Sequence, residues 1–316
     1  MSLKPVRKAV IPVAGLGTRF LPVTKTIPKE MLPIVDKPAI QYVVEEALQA
    51  GIKDIVLIQG RGKTSIEDYF DITFELETKL TADGKTNLLK TFQPIREAAN
   101  FISVRQKVAL GLGHAVLCAR PVVGTEPFVV MLGDEITISK DPSTNPTAHL
   151  IEKYAQTGTS AITVMEVPRA DTEKYGVIAF DGSFNASGVK VTGLVEKPKP
   201  EEAPSNYALP GRYVFTPTIF NFLAEAKPTK NGEIQLTDSI ELLARHEGLW
   251  ALPMRARRFD TGNKVDFLRA NIELALERDE IRDNLLAALQ AILLHNQEDE
   301  WAGISSLNTS DKPMAQ

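Results

Sequence analysis

Apolar residues occur along the first part of the chain in short continuous runs, with segments of helical spacing between them. The runs predict buried β-strands at residues 8–13, 54–59, 101–105, 127–132 and 160–167. The spacing predicts helices at residues 39–50, 113–119 and 145–156. Residues 64–98 are irregularly helical, with a polar break at 81–87. This alternation of strands and helices indicates a parallel sheet covered by helices on both faces.

The pattern changes after residue 168, where short strand-like runs are separated by turn residues. Helices are predicted again near 217–226 and 235–246, and residues 250–254 are predicted as the last strand. Residues 264–294 are predicted as one long, largely continuous helix. The expected fold class is α/β: a Rossmann-like, mixed but mainly parallel sheet flanked by helices, with a small extra β region and a long C-terminal helix.

Length and composition indicate one domain over residues 1–295, with an insertion at 64–98 and a polar tail at 296–316. The single cysteine, Cys118, excludes an internal disulfide framework and a cysteine-based zinc site. No apolar run reaches the roughly 18 residues of a membrane-spanning helix, and the N-terminus lacks the apolar region of a signal peptide. We therefore expect a cytoplasmic protein with no membrane partner. The net charge of −4 argues against a dedicated nucleic-acid binder.

Positive charge is concentrated at the start of the chain. Residues 1–30 contain six basic side chains and a single acidic one, in a chain whose totals are 36 basic and 40 acidic. Six of the 20 prolines lie within the first 38 residues. A basic segment stiffened by prolines, in an otherwise acidic chain, indicates a rigid binding site for an anion.

A glycine loop at residues 14–19 (AGLGTR) follows the first predicted strand. The backbone N–H groups of such a loop bind phosphate, although a tight turn that needs two glycines has the same spacing. The loop is not a P-loop, and Phe20 replaces the third glycine of the dinucleotide-binding fingerprint. The second strand ends without an acid for a ribose, which argues against a dehydrogenase. Lys25 and Lys29, with Arg19, favour phosphate binding.

Several separated motifs over residues 6–280 point to a known family. In order they are AGLGTR, PKEMLP, DKPAIQYVVEEAL, RQ with GLGHAVLCA, YGVIA, EKP with APSN, GRYVF, GEIQLTD and FDTGNK. This set resembles the sugar-1-phosphate nucleotidylyltransferases, and within them the enzymes that act on UTP and glucose 1-phosphate. The resemblance implies Mg²⁺-assisted in-line attack of glucose 1-phosphate on UTP, giving UDP-glucose and pyrophosphate. Such a transfer requires positioning and charge neutralisation, and no covalent nucleophile.

The resemblance also implies roles for individual residues. It implies catalytic roles for Arg19, Lys29, Asp134 and Lys197. It implies nucleotide contacts at Ala14, Gly15, Gly17, Thr18, Glu30, Gln106 and Gly111. It implies that residues 168–260 bind the sugar, with sugar-phosphate contacts at Gly176, Glu196, Lys197 and Gly211. It makes Asp134 and Asp260 the ligands of one Mg²⁺, an ion that keeps waters and bridges substrate phosphates.

The residues themselves leave alternatives open at the two acids. Asp134 follows a predicted buried strand, at the edge where α/β sheets bind ligands, but a turn residue also fits there. Asp260 also fits a surface ion pair, because Arg255, Arg257 and Arg258 precede it.

The predicted contacts to the sugar and to the base depend on where the side chains of Glu196, Lys197 and Gln106 point. Glu196 and Lys197 are neighbours on a predicted strand, so their side chains reach one site only if the strand twists or ends there, as Pro198 suggests. Gln106 can form paired hydrogen bonds with a pyrimidine edge. His114, beside these contacts, is interpreted as structural.

Two other functions remain as alternatives at this stage. One is a thymidylyltransferase of another sugar 1-phosphate, because thymine differs from uracil by one methyl group, worth about 1–3 kcal/mol in a fitted pocket. The other is a catalytically silent regulatory relative, against which the complete set of charged residues argues. A homodimer or homotetramer is expected, with residues 64–98 and 264–294 as candidate subunit contacts.

Overall fold

The computed structural model describes residues 3–297. The strands of this range are β1 Lys8–Val13, β2 Pro33–Ile34, β3 Lys37–Pro38, β4 Asp54–Gln59, β5 Asn100–Arg105, β6 Phe128–Met131, β7 Glu135–Ile138, β8 Ser160–Glu166, β9 Gly176–Phe180, β10 Val189–Glu196, β11 Tyr207–Ala208, β12 Arg212–Phe215, β13 Leu249–Pro253 and β14 Arg257–Asp260. Its helices are α1 Ala39–Gln49, α2 Thr64–Phe70, α3 Phe74–Ala82, α4 Thr86–Leu89, α5 Gln93–Ala98, α6 Gly111–Cys118, α7 Arg120–Val123, α8 Pro146–Thr157, α9 Ile219–Glu225, α10 Leu236–Glu247, α11 Lys264–Leu276 and α12 Asp279–Gln297. Short 3-10 turns lie at Thr18–Phe20, Val23–Lys25, Lys29–Met31, Pro142–Thr144 and Arg169–Lys174.

Ten of these strands form one sheet in the order β11-β9-β10-β13-β8-β12-β6-β1-β4-β5. Strands β6, β1, β4 and β5 are parallel, β13 is parallel to β8, and β12 runs antiparallel between β6 and β8. The predicted mixed, mainly parallel sheet flanked by helices is confirmed. Strands from both parts of the sequence pattern, before and after residue 168, belong to this sheet.

The apolar side chains of β1 illustrate how the sheet is buried on both faces. Val10 belongs to one core cluster, while Ala9, Ile11 and Val13 belong to the cluster on the other face. This division follows from the alternation of side chains along a strand, and it explains why the sequence runs are continuously apolar. Pro12 lies inside this central strand, where β6 pairs only as far as Val10. Proline has no backbone N–H, and at position 12 none is needed for pairing with β6.

The predicted helices are present, with two differences in detail. Asn145 is the N-cap of α8, with its side chain accepting a hydrogen bond from Ala148 N, and not the first residue of the helix as the range 145–156 predicted. The long C-terminal helix is present as α12, but the predicted continuity over 264–294 is wrong. The chain turns between α11 and α12, where Arg278 pairs with the carboxylate of Asp36. Arg278 N donates to the Ala275 carbonyl, three residues back, so the α-helical pattern of bonds four residues apart is interrupted here.

Residues 64–98 form α2 to α5, four short helices with a break at 83–85, as the sequence predicted. Strand β13 is not the last strand, because β14 follows it and pairs antiparallel with β7 in a separate ribbon. Of the predicted tail, residues 298–316 lie outside the described residues. A search of residues 3–297 for a helix long and apolar enough to span a membrane found none.

Candidate active site

The glycine loop leaves the carboxyl end of β1 and is fastened to the proline-rich segment that follows. Gly17 has a φ of +66°, and a Cβ there would lie 3.2 Å from Thr24 Cβ and 3.3 Å from Lys29 Cβ. The hydroxyl of Thr24 donates a hydrogen bond of 2.7 Å to the Gly17 carbonyl. Gly17 is therefore required by the backbone and by the close approach of the next segment.

Lys29 brings a partly buried cation to this loop. Its Nζ lies 2.5 Å from Asp134 Oδ2, and also 3.5 Å from the position a Cβ would take on Gly15. Burial lowers the pKa of Lys29, but the charges of Asp134 and Glu30 outweigh it and hold that pKa above its ordinary value. Burial likewise opposes ionisation of Asp134, yet Lys29 and Arg19 keep the pKa of this carboxyl below its usual range. Both groups are charged at neutral pH.

Asp134 and Asp260 are brought together by the β7–β14 ribbon. In its register Asp260 lies opposite Glu135, and the Asp134 carbonyl accepts hydrogen bonds from Thr261 N at 2.9 Å and Thr261 Oγ1 at 2.7 Å. A Cβ on Gly262 would lie 2.9 Å from Asp134 Oδ2 and 3.0 Å from Asp260 Oδ1. The two carboxylates therefore converge on one point, which the absence of a side chain at Gly262 leaves open.

The electrostatics of Asp260 match a shared site. Burial raises the pKa of this carboxyl, Arg258 opposes the rise, and the negative charge of Asp134 adds to it. The ion pair considered from the sequence is formed with Arg258, whose Nη2 lies 3.9 Å from Asp260 Oδ2, and not with Arg255 or Arg257. Arg257 pairs with glutamates on and after α11, and Arg255 donates to a backbone carbonyl.

The donor set fits a magnesium ion. Two carboxylates, those of Asp134 and Asp260, face this point, and no group of three or more His, Cys, Asp or Glu side chains that could hold a metal ion was found among residues 3–297. Mg²⁺ is usually bound through one or two carboxylates and completes its octahedral coordination with waters and substrate phosphates. The opening at Gly262 lets a cation lie between the two acids.

Glu196 and Lys197 lie together where β10 ends. Lys197 has a φ of +47°, so the chain leaves the strand there and both side chains line the same cavity. Lys197 Nζ is 3.4 Å from Glu196 Oε1, and Thr237 Oγ1 donates a 2.6 Å hydrogen bond to Glu196 Oε2. A Cβ on Gly176, opposite Glu196 in the sheet, would lie 3.3 Å from Glu196 Oε2. The predicted strand ending is confirmed.

Gly211 has a clear backbone requirement. Its φ is +144°, and a Cβ there would lie 2.7 Å from Leu132 Cδ1. Leu132 N donates a 3.1 Å hydrogen bond to the Gly211 carbonyl. The neighbouring Pro210 lines the same cavity as Glu196 and Lys197. The implied sugar contact of Gly211 itself stays a prediction.

Two adjoining cavities contain the predicted residues. The loop cavity, about 610 Å³, is lined by the 14–19 loop with Lys29, Gln106 and Gly111. The strand cavity, about 290 Å³, is lined by Gly176, Glu196 and Lys197. Both are lined by Arg19 and Asp134, and the strand cavity also by Asp260. The charged groups therefore lie at the junction of two binding spaces.

At the far end of the loop cavity, Gln106 has fewer free groups than the sequence suggested. Its Nε2 donates to the Gly111 carbonyl at 3.2 Å and lies 3.0 Å from His114 Nδ1. The paired hydrogen bonds predicted between Gln106 and a pyrimidine edge are therefore not both available. Gly111 has a φ of +87°, and a Cβ there would lie 2.8 Å from Glu233 Cβ, so this position also requires glycine.

Glu30 lines the loop cavity, but its carboxylate is directed to Lys63. The Nζ–Oε2 distance is 2.9 Å, and Glu30 is almost wholly buried. Burial raises the pKa of Glu30, and Lys63 and Lys29 oppose the rise. Its implied nucleotide contact stays a prediction. Lys63 was not identified from the sequence, where it is one of several charged residues after β4.

A buried charge network beneath the site was also missed. Arg212 is fully buried and donates to Glu46 through Nε and Nη2, and to the Glu135 carbonyl at 2.7 Å. Glu135 in turn accepts a 2.8 Å hydrogen bond from Arg258 Nε. Arg258 borders the strand cavity and lies over the Tyr175 ring. In the sequence Glu135 and Arg258 have no distinguishing signal, because their partners are far away along the chain.

Comparison with known proteins identifies this architecture. Residues 8–277 match the family model described as nucleotidyl transferase. The chain belongs to the nucleotidyl transferase family. The resemblance drawn from its motifs is confirmed by a UTP–glucose-1-phosphate uridylyltransferase of Bacillus subtilis, which is 50% identical over 92% of this chain and 96% of that protein.

Solved structures of nucleotidyl transferases agree with this assignment. A UTP-bound UGPase from Acinetobacter baumannii is 41% identical, with a TM-score of 0.82 over 91% of this chain and 99% of that one. A UDP-glucose pyrophosphorylase complexed with UDP-glucose is 42% identical, with a TM-score of 0.79 over 86% of this chain and 100% of that one. The relatives thus share the whole fold and not one motif alone.

Proposed function

We propose that this nucleotidyl transferase is a UTP–glucose-1-phosphate uridylyltransferase, which forms UDP-glucose and pyrophosphate. The observation that carries the proposal is the junction of the two cavities, where Arg19, Asp134 and Asp260 meet. UTP in the loop cavity and glucose 1-phosphate in the strand cavity would bring their phosphates together at this point. Full-length similarity to named uridylyltransferases supports the same pair of substrates.

The residues around the junction have separate roles in such a transfer. Lys29 and Arg19 neutralise the triphosphate, and the 2.5 Å contact to Asp134 fixes where the Lys29 ammonium lies. Lys197 faces the sugar phosphate, while Glu196, oriented by Thr237, accepts hydrogen bonds from sugar hydroxyls. Positioning and charge neutralisation of this kind account for most of the catalysis of phosphoryl-type transfers.

We propose Mg²⁺ as the cofactor, held by Asp134 and Asp260. The convergence of their Oδ atoms beside Gly262 supports this assignment. When bound, the ion would neutralise phosphate charge as it develops during the transfer. Arg258, 3.9 Å from the second oxygen of Asp260, and Gly262 N, 2.9 Å from the first, keep this carboxylate in place.

The decisive experiment is release of pyrophosphate from UTP and glucose 1-phosphate in the presence of Mg²⁺. We expect turnover that requires both substrates and the metal. No release above background would indicate the catalytically silent relative instead. Competition among UTP, dTTP, CTP and GTP tests the thymidylyltransferase alternative, and a preference for dTTP would contradict the proposal.

Replacing Lys197 by methionine should raise the KM for glucose 1-phosphate by about 10- to 150-fold and leave the KM for UTP unchanged. The ammonium is lost from the strand cavity, whereas the loop cavity keeps all its lining groups. A hydrogen bond between charged groups contributes about 1.5–3 kcal/mol, which sets this magnitude. Steady-state kinetics in each substrate measure it, with Lys190→Met on β10 as a control outside both cavities. Unchanged constants would remove Lys197 from the site.

We also propose that the chain self-associates. Helix α12 exposes Leu286, Ile292, Leu293 and Leu294, and the insertion exposes Ile72 and Phe74. Several large apolar side chains exposed on one helix are typical of an interaction site. Light scattering after size exclusion should give the mass of a dimer or tetramer, and a mass of 34.7 kDa would contradict it. The cytoplasmic location stays a prediction.

A further inference from the structure

The side-chain amide of Gln106 is held in one orientation. Its Nε2 donates a 3.2 Å hydrogen bond to the Gly111 carbonyl, which is only an acceptor, so the nitrogen and not the oxygen must face Gly111. The second N–H of the same group points to His114 Nδ1 at 3.0 Å. Both N–H groups of the amide are therefore used inside the protein.

His114 completes this arrangement from outside the cavity. It lies on α6 behind Gln106 and does not line the loop cavity, unlike Gly111, Leu112 and Ala115 of the same helix. Accepting a hydrogen bond at Nδ1 requires the neutral imidazole with its proton on Nε2. That nitrogen lies 4.0 Å from the sulfur of Cys118, one turn further along the helix. Burial raises the pKa of the Cys118 thiol, so the sulfur stays uncharged and is a weak acceptor for this proton.

The oxygen of the Gln106 amide is left for a ligand. Oε1 accepts no hydrogen bond within residues 3–297 and is not among their enclosed unpartnered atoms, so it is accessible, and the space that Gln106 lines is the loop cavity. A fixed acceptor at this place distinguishes two pyrimidines. Uracil carries an N–H donor at position 3 of its edge, whereas cytosine has an acceptor nitrogen there, and two acceptors facing each other repel.

We propose that His114 is a positioning residue for base selection: it keeps the Gln106 amide oxygen toward the base, and so favours UTP over CTP. The proposal rests on the proposed function for the nucleotide that the loop cavity binds. It adds the group that decides between bases with and without a donor at position 3. His114 acts only through Gln106 and has no role in the transfer itself.

Kinetics of His114→Phe with UTP and with CTP test the proposal. Phenylalanine keeps the ring shape and removes one of the two acceptors that hold the amide, so the hydrogen bond to the Gly111 carbonyl alone opposes its rotation. We expect the KM for UTP to rise about tenfold, the cost of one hydrogen bond, and the preference for UTP over CTP to fall by a similar factor. The kcat at saturating UTP should stay within about twofold, because the charged groups at the cavity junction are untouched.

Two further variants separate positioning from packing. His114→Asn places an amide oxygen close to where Nδ1 lay, and it should restore most of the preference for UTP. His149→Phe, on the surface helix α8, is the matched control and should leave both nucleotides unaffected. Should the phenylalanine variant fail to fold, His114→Leu removes the same acceptor from a smaller side chain and replaces it in the test.

The results distinguish this proposal from the function on which it rests. An equal loss for UTP and CTP, or no rescue by asparagine, would overturn the role of His114 even if the native protein makes UDP-glucose. If the native protein makes none, the proposed function fails. Calorimetric affinities of the native and variant proteins for UTP and CTP then give the same ratio without turnover, and an unchanged ratio would overturn the inference.

Discussion

Replacing Asp134 by asparagine should lower the rate of UDP-glucose formation by about 1000-fold and leave the protein folded. The change removes one of the two carboxylates that converge beside Gly262, and losses up to this size follow removal of one preorganised charge-stabilising group. It also removes the charge that keeps the pKa of Lys29 high, so burial would lower that pKa and weaken the cation that faces the triphosphate. The fold should persist because the backbone carbonyl of residue 134 still accepts both hydrogen bonds from Thr261.

The measurement is pyrophosphate release over a range of Mg²⁺ concentrations, together with the thermal unfolding temperature. Asp141→Asn is a matched control, because Asp141 is an exposed aspartate whose carboxylate only caps a short turn at Ser143. It should keep the native rate. An Asp134 variant with more than a tenth of the native rate would contradict the metal assignment. A variant that unfolds would give Asp134 a structural role.

Replacing Arg212 by methionine should reduce the free energy of unfolding by about 3–5 kcal/mol. Arg212 is fully buried, and its Nε and Nη2 lie 2.8–3.1 Å from the carboxylate oxygens of Glu46. Without the guanidinium, Glu46 keeps a buried negative charge that only the hydroxyls of Thr137 and Thr147 contact. The cost arises mainly from this unpaired charge and not from the loss of the ion pair as such.

A double variant tests that reason. Arg212→Met combined with Glu46→Leu removes both charges, and it should recover at least half of the stability lost by the single variant. Arg245→Met, which breaks the exposed pair with Glu241 on α10, is the control and should cost less than about 1 kcal/mol. Urea denaturation measures all three. The explanation would be contradicted if Arg212→Met lost under about 1 kcal/mol of unfolding free energy. It would also be contradicted if the double variant were less stable than Arg212→Met.

The strands that the sequence predicted correctly are those whose burial shows directly in their own run of apolar residues. Strands β1, β4 and β6 are buried on both faces, so their apolar runs are continuous and easy to recognise. Strands β7 and β14 were missed because each carries charge and neither forms a continuous apolar run. Their pairing joins segments about 120 residues apart, so nothing in either segment alone announces it.

Site residues followed the same rule. Lys29, Asp134 and Asp260 were found because they belong to motifs, and the structure brings them together at the cavity junction. Arg258 and Glu135 were not, because a buried arginine is recognised only by its acid, and that acid lies 123 residues away. The orientation of the Gln106 amide was beyond sequence reasoning for the same reason. It depends on which atoms of the Gly111 backbone and the His114 ring face it.

The pairing register of the β7–β14 ribbon sets the distance between Asp134 and Asp260. Asp260 is the last residue of β14, and Asp134 directly precedes β7, so the distance between them is fixed by backbone pairing. A shift of one residue in β14 would move Asp260 from its place opposite Glu135 and turn its side chain to the other face of the ribbon. The acid pair should therefore survive extensive substitution of its neighbours, provided that the backbone pairing is kept. Insertion or deletion of a single residue in either strand of this ribbon should separate the two acids, because it shifts the register.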